Sequence, residues 1–147
     1  MKHSETTLQW VPEEACKIVP LPLFACSVAA GFPSPADDYV EKRLDLNEYL
    51  VKKPSATYFA RAQGQSMVNL GIFDQDLLIV DRSIQPQHGQ IVVVALDGEL
   101  VCKLLDLHKS RLLSANPQYP PIPITEEMDT LIEGVVIHSV RHHITSR

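Results

Sequence analysis

The sequence has few cysteines and no concentrated positive charge. Its 147 residues include three widely spaced cysteines without a Cys-x-x-Cys pair, so the thiols are expected to be reduced, as in a cytoplasmic protein. Lysine and arginine occur in pairs such as Lys42-Arg43 and Lys52-Lys53 rather than in long clusters, and the net charge is −5. Because binding to duplex DNA depends on neutralising phosphates, direct sequence-specific DNA binding is not expected.

Long apolar runs are also missing. No stretch approaches the roughly 18 residues that a membrane helix needs, so no membrane association is expected. The apolar run Ile18–Gly31 ends in small residues that resemble a signal-peptidase site, but Pro20 and Pro22 interrupt it and acidic residues precede it. Secretion is therefore a disfavoured alternative. The same residues mark Ala30-Gly31 as a bond that a serine peptidase with a preference for small residues could cut.

Three histidines lie close together near the C-terminus, at His138, His142 and His143. Neither a cysteine nor a carboxylate completes this group as a ligand set. A solvated C-terminal tail is predicted instead, and the sequence predicts no metal and no other cofactor.

The chain divides by composition into an arm and a domain. Residues 1–35 contain five prolines and no sustained periodicity, which predicts an extended arm. Residues 36–147 form the predicted domain. At its start, the segment Asp37–Lys53 mixes apolar and charged residues at helical spacing, and Asp37 or Asp38 is a candidate cap for a short helix that ends before Pro54.

From Ala56 onward the pattern is that of β-strands. Short apolar runs alternate with turn signals, and Asp97-Gly98 between two β-rich runs is the strongest hairpin signal in the chain. A loop with four prolines, residues 116–124, is excluded from a central strand. The predicted fold is mostly β: a compact, highly twisted β-domain with an extended N-terminal arm.

Lys103 is unusual because its neighbours in a predicted strand are apolar. Side chains alternate along a strand, so Val101, Lys103 and Leu105 share one face. Burial disfavours an ammonium group and lowers its pKa, which would make the amine a general base near physiological pH. The alternative is a lysine on an edge strand, whose stem lies along the surface while its amine reaches water.

Ser66 follows a glycine by two residues, in the sequence Gly64-Gln65-Ser66-Met67. A serine becomes a nucleophile only when a neighbouring base takes its proton, and none of the six histidines is well placed by pattern to do so. The glycine permits a tight turn that exposes the hydroxyl and points the backbone N–H groups of Gln65 and Ser66 at a developing oxyanion. The alternative is an ordinary turn serine with local hydrogen bonds.

These segments together resemble a known family. The stretches GQSM, GIFDQDLLIVD, HGQIVVVALDGELVCKLL and GVVIHSV are similar to the self-cleaving Ser-Lys domains of LexA-type repressors and UmuD-type SOS mutagenesis proteins. The resemblance extends over nearly all of the chain from Leu21 to Val140, and it is closest to the UmuD type. It implies a LexA/UmuD-like β-domain that acts as an autocatalytic serine endopeptidase.

The resemblance also implies the roles of individual residues. Ser66 matches the nucleophile, Lys103 matches the general base, and Ala30-Gly31 matches the bond that is cut. The backbone N–H groups of Gln65 and Ser66 would hold the oxyanion. The first 17 residues differ from what the family leads one to expect, so no role is assigned to them.

Partners follow from the resemblance as well. A RecA–single-stranded DNA filament would stimulate the cleavage after DNA damage. The shortened homodimer would then join a UmuC-like Y-family polymerase as a subunit of an error-prone translesion DNA polymerase. Two alternatives stay open: a non-catalytic dimeric accessory module of a polymerase, and a LexA-type relative without the DNA-binding domain.

Overall fold

The computed structural model describes residues 18–25, 40–126 and 131–144. The chain divides into two compact units, one that reaches to Tyr49 and one that begins at Leu50. The division into residues 1–35 as a cleavable arm and residues 36–147 as the peptidase domain stays a prediction.

The first unit contains a small antiparallel sheet of two strands. Strand β1 (Leu21–Phe24) pairs with β2 (Val40–Leu44), and helix α1 (Leu46–Leu50) follows. The prediction of a short helix that starts after Asp37 or Asp38 is therefore wrong at Val40–Leu44, where β2 lies. Five residues form too short a helix to be stable alone, whereas pairing with β1 satisfies backbone N–H and C=O groups.

The cap of α1 also differs from the prediction. The carboxylate Oδ1 of Asp45 accepts a hydrogen bond from the N–H of Asn47 at 3.2 Å, which is the contact of an N-cap residue. The predicted caps, Asp37 and Asp38, lie outside the described residues.

The second unit is built on a sheet of seven strands, and every neighbouring pair in it is antiparallel. The order across the sheet is β3-β4-β9-β5-β6-β7-β8. The strands are β3 (Thr57–Arg61), β4 (Leu77–Asp81), β5 (Ile91–Leu96), β6 (Glu99–Asp106), β7 (Arg111–Leu113), β8 (Ile122–Pro123) and β9 (Ile132–Val140). The prediction of a mostly β fold is confirmed.

Strands β5 and β6 form the predicted hairpin at Asp97-Gly98. Both turn residues have positive φ angles, 49° for Asp97 and 79° for Gly98, as a tight two-residue turn between twisted strands requires. The pairing runs from Leu96 opposite Glu99 to Ile91 opposite Leu104. The hairpin thereby fixes which face of the sheet each residue of β6 occupies.

Alternate residues of β5 pack into two different apolar clusters. Val93 belongs to the first cluster, which also contains Ala62, Met67, Ile72, Leu78 and Val80. Val92 and Val94 belong to the second, with Leu105, Leu112 and Val135. Because successive side chains of a strand point to opposite faces, the two clusters use both sides of the sheet. The central strands are therefore buried on both faces.

The proline-rich loop that follows β7 contributes only the two-residue strand β8, at one edge of the sheet. Proline lacks the N–H that a central strand donates, so this edge position matches the exclusion made from the sequence. The helices that the structure describes are all too short to span a bilayer.

Candidate active site

Strand β6 carries Lys103 into the interior of the second unit. The strand pairs with β5 on one side and with β7 on the other, and Lys103 is only 9% exposed. Burial, which disfavours the charged form, lowers the pKa of Lys103 below its ordinary value, and the neighbouring Cys102 offsets only part of this lowering. A lysine in this position is a far better proton acceptor than one whose amine lies in water.

The amine of Lys103 has two neighbours on the segment that follows β7. Its Nζ atom lies 2.8 Å from the Ser114 hydroxyl oxygen and 5.7 Å from the centre of the Tyr119 ring. Both groups can interact with a neutral or a charged amine. The thiol of Cys102, in contrast, stays protonated at neutral pH, because burial raises its pKa to about 11.

Ser66 lies in a turn between β3 and β4. Gly64 opens this turn with a φ of +88°, a left-handed conformation that glycine adopts without steric cost, and its N–H donates to Asp74 Oδ1 at 2.8 Å. Met67, directly after the serine, is 3% exposed and packs into the first apolar cluster. The turn is thus anchored on both sides of Ser66, which itself is half-buried.

The loop that carries Ser66 is closed by an ion pair whose carboxylate is buried. Asp76 is 2% exposed, and its two carboxylate oxygens accept hydrogen bonds from Arg141 Nε at 3.1 Å and Nη2 at 3.0 Å. Arg141 also donates to the carbonyl of Gly71 and stacks on the ring of Phe73. These hydrogen bonds hold the pKa of Asp76 below its usual range.

One pocket of about 300 Å³ brings Ser66 and Lys103 together. Residues of β3, the Ser66 turn, β4, β5 and β6 line it, together with Tyr119. Three of the residues predicted from the sequence, Gln65, Ser66 and Lys103, belong to this lining. The hydroxyl of Ser66, the Lys103 amine of lowered pKa and the backbone of the tight turn therefore belong to residues that line the same pocket.

Comparison with known proteins relates this pocket to a family. Residues 22–137 match the Peptidase S24-like family. The chain belongs to this family. It is 46% identical to the protein ImpA of Salmonella typhimurium over 127 residues, which cover 86% of this chain and 83% of that protein. It is 40% identical to the protein MucA of Escherichia coli over 131 residues, with 88% and 90% covered.

A repressor is among the relatives of this S24-like chain. The LexA repressor of Alcanivorax borkumensis is 40% identical over 116 residues, which cover 78% of this chain and 56% of the repressor. The resemblance to UmuD-type and LexA-type proteins stated from the sequence is therefore confirmed. Membership of the family supports a serine peptidase of the self-cleaving kind.

The S24-like site has two backbone donors at the Ser66 turn. Among the described residues, no carbonyl or side chain accepts a hydrogen bond from the N–H of Gln65 or of Ser66. The carbonyl of Gln65 accepts one from Asn116 Nδ2 at 3.2 Å. The two N–H groups are therefore free to bind an oxyanion as the sequence predicted, and that role stays a prediction.

The bond proposed for cleavage, Ala30-Gly31, lies outside the described residues. The histidines of the predicted tail are divided by the structure: His138 belongs to β9 and is partly buried, whereas His142 and His143 are exposed. The prediction of a solvated tail is therefore wrong for His138.

A cluster outside the pocket contains His88, Asp106 and His108. The two imidazole rings are stacked, with centroids 3.7 Å apart and planes 12° from parallel. The Nδ1 atom of His88 already accepts a hydrogen bond from the N–H of Leu107 at 3.1 Å. Asp106 is already bound by Arg111 and by the N–H groups of His108 and Lys109. This cluster is therefore a structural cap of the turn after β6.

Sequence reasoning missed three residues of the site, Ser114, Asn116 and Arg141. Each is 11 to 65 positions away from the site residue to which it bonds. Ser114 carried the one usable signal, because it follows a strand that pairs with the strand of Lys103. Asn116 and Arg141 lie in irregular segments, for which strand alternation predicts no partner.

Proposed function

We propose that this chain is an SOS-response peptidase that cuts its own Ala30-Gly31 bond with Ser66 as nucleophile and Lys103 as general base. The observation that carries the proposal is the burial of Lys103 in the same pocket as Ser66. A buried amine of lowered pKa is costly for a folded protein, and such groups concentrate at functional sites. Membership of the Peptidase S24-like family supports the assignment of peptidase chemistry to this pocket.

The first half of the reaction forms an ester. Neutral Lys103 takes the proton of the Ser66 hydroxyl, and the oxygen attacks the carbonyl carbon of Ala30. The N–H groups of Gln65 and Ser66 stabilise the negative oxygen of the tetrahedral intermediate. The Ala30-Gly31 bond then breaks, and the ammonium of Lys103 returns its proton to the departing amine of Gly31.

The second half of the reaction restores the enzyme. Lys103, neutral again, takes a proton from a water molecule that attacks the ester carbon of Ala30. The ester bond breaks, Ser66 recovers its proton from Lys103, and the fragment that ends at Ala30 leaves. The other fragment, residues 31–147, retains the whole pocket.

The substrate arm would bind as an added strand. Strand β3 lies at one edge of the sheet and pairs only with β4 among the described strands, and its residues Ala60 and Arg61 line the pocket. An unpaired edge offers backbone donors and acceptors to an extended peptide. Alanine suits a small pocket, and glycine after it lets the backbone approach closely.

The family resemblance extends the proposal to partners. A RecA–single-stranded DNA filament would stimulate cleavage by binding the cleavable arrangement of the arm more tightly than the inactive one. The product, a homodimer of residues 31–147, would act with a UmuC-like Y-family polymerase in translesion synthesis. The net charge of −5 fits a subunit that reaches DNA through its partners.

The decisive experiment is mass spectrometry of the purified chain after incubation at alkaline pH and, separately, with activated RecA filament. Wild-type protein should yield a fragment that begins at Gly31. Ser66→Ala and Lys103→Ala should each slow its formation by at least about 100-fold. Lys109→Ala, at an exposed lysine outside the pocket, is the matched control and should cleave at the wild-type rate.

Other outcomes identify the alternatives. A fragment that persists in Ser66→Ala would mean that another protease cuts the arm, as in the secretion hypothesis or through contamination. If the full-length chain is never processed while residues 31–147 support mutagenesis, the protein is a non-catalytic accessory module. Either result would contradict the proposal.

A further inference from the structure

Three successive residues after β7 each bond to a different part of the candidate site. The Ser114 hydroxyl oxygen lies 2.8 Å from Lys103 Nζ. Asn69 lies in the short 3-10 helix Val68–Leu70, which follows Ser66. Its N–H donates a hydrogen bond to the carbonyl of Ala115 at 3.2 Å. Asn116 Nδ2 donates to the carbonyl of Gln65 at 3.2 Å. One segment thus spans from the amine to the serine turn.

We propose that Ser114 and Asn116 are positioning residues of the cleavage reaction: Ser114 orients the amine of Lys103, and Asn116 orients the peptide group between Gln65 and Ser66. The inference rests on the proposed function and adds two residues to it. Neither residue makes or breaks a covalent bond in this assignment, because Ser114 acts through Lys103 and Asn116 acts through the Ser66 turn.

The geometry of the sheet places Ser114 beside the amine. Strands β6 and β7 pair with Leu104 opposite Leu113, so the same register continued by one residue brings Ser114 opposite Lys103. A neutral amine has two N–H groups and one lone pair. When the serine oxygen accepts one N–H, rotation about the Cε–Nζ bond is restricted, which limits the directions that the lone pair can take.

Asn116 acts on the other wall of the pocket. The carbonyl of Gln65 and the N–H of Ser66 belong to the same planar, trans peptide group, so they point in opposite directions. A hydrogen bond from Asn116 to this carbonyl fixes the plane of the group and polarises it, which strengthens the N–H as a donor. The N–H of Ser66 is then held ready for the oxyanion.

The ionisable groups around the amine of Lys103 are the same in the wild type and in the variants of Ser114 and Asn116. Arg61 from β3, Glu99 and Cys102 from β6, and Tyr119 from the proline-rich loop line the same pocket. From β5 the lining contains only the apolar Val93. A change in the pH profile between the wild type and a Ser114 variant therefore reports the hydroxyl at position 114.

The test for Ser114 is the pH profile of self-cleavage. Ser114→Ala should lower the plateau rate about 10-fold and should move the midpoint of the profile to lower pH, because the lost oxygen was an acceptor for the ammonium. Ser114→Thr keeps a hydroxyl and should restore both. If Ser114→Ala only loosened the packing, water would enter the pocket and the midpoint of the pH profile would move to higher pH. An unchanged rate, or an unchanged or higher midpoint, overturns the assignment.

A second measurement separates this inference from the proposed function. In Ser66→Ala protein, which should not cleave, the carbon-13 shift of Lys103 Cε reports the titration of the amine directly. Adding Ser114→Ala should move this titration to lower pH. If it moves but the wild type never cleaves, the proposed function fails and the positioning of the amine stands. If the wild type cleaves and the titration does not move, only the role of Ser114 fails.

Asn116 is tested with two substitutions. Its Oδ1 accepts the N–H of Gln118 at 3.1 Å, so Asn116→Asp keeps this local turn contact but loses the donor to Gln65. Both Asn116→Asp and Asn116→Ala should lower the plateau rate about 10-fold, while Gln118→Ala should leave it unchanged. If Asn116→Asp cleaves at the wild-type plateau rate, the residue only shapes its own turn and the assignment is overturned.

Discussion

The two walls of the pocket are held by different forces. On one wall, Lys103 lies in a strand that is hydrogen-bonded along both edges, next to Leu105, which is 1% exposed. On the other wall, Ser66 lies in the loop of residues 62–76, which is held by Met67 and by side-chain contacts such as Asp74 to Gly64 and Arg141 to Asp76.

Because of this difference, we expect the candidate base Lys103 and the candidate nucleophile Ser66 to respond differently to changes of pH. Apolar burial does not depend on the protonation of a carboxylate, so the position of the candidate base should withstand acid. Ion pairs and charge-assisted hydrogen bonds weaken when a carboxylate is protonated. The turn of Ser66 should therefore lose its order before the strand of Lys103 does.

The largest effect is expected from replacing Lys103 by an apolar residue of similar shape. Lys103→Met should abolish cleavage and yet raise the free energy of unfolding by about 1–2 kcal/mol at neutral pH, because a buried amine is removed. The folded pKa of Lys103 is lowered, so the gain is full below that value. It should disappear as the pH rises above the unfolded pKa, where the lysine is neutral in both states.

Chemical denaturation of the two proteins across pH tests this expectation. Lys109→Met, at an exposed position, should leave both stability and cleavage unchanged. If Lys103→Met is less stable than the wild type at neutral pH, the amine stabilises the fold. The wall of the pocket that contains Lys103 would then not be held by apolar burial alone.

A smaller effect, on the other wall, is expected for Arg141→Ala. It would leave the buried carboxylate of Asp76 without its cation, and it should lower the free energy of unfolding by more than the loss of a surface pair does. The matched control is Arg82→Ala, because the Arg82–Glu133 pair has a similar distance of 2.9 Å but lies at the surface. Its loss should cost less than about 1 kcal/mol in the same denaturation experiment.

The effect of the Asp76–Arg141 pair on stability should also depend on pH. The pKa of Asp76 is lowered in the folded state, so its contribution is fully present above the unfolded value of about 3.9 and is lost as the pH falls through the folded value. The difference in stability between wild type and Arg141→Ala should therefore shrink in acid. A difference that is constant down to pH 2 would contradict the role of the pair.

The sequence predicted the parts of the fold that local pattern determines. Alternating apolar residues and the Asp97-Gly98 turn located β5 and β6 and placed Lys103 among apolar neighbours. The segment of β2 was predicted as a helix because its spacing is ambiguous over five residues. Its partner β1 (Leu21–Phe24) lies at least 16 residues away in the chain, and pairing across that distance leaves no local signal.

The same limit applies to the site. Ser66 and Lys103 were found because their types and neighbours are unusual and because the segments around them resemble a family. Ser114, Asn116 and Arg141 make their contacts only after the sheet has formed. A serine, an asparagine and an arginine in irregular segments are common, so composition alone does not distinguish them.

The smallest effect should come from replacing Gly64. This substitution distinguishes the cost of backbone strain from the effect of moving the Ser66 turn. Gly64→Ala forces a β-carbon into the left-handed region at a φ of +88°, with no atom within 4 Å of the added carbon, and should cost about 1 kcal/mol. Gly89→Ala is the matched control, with a φ of +83° and equally open space, in a turn that does not line the pocket. Both should lower stability equally, but only Gly64→Ala should slow self-cleavage, because it shifts the turn that holds Ser66. Equal cleavage rates in the two variants would mean that the turn tolerates displacement and that Lys103 alone determines the geometry of attack.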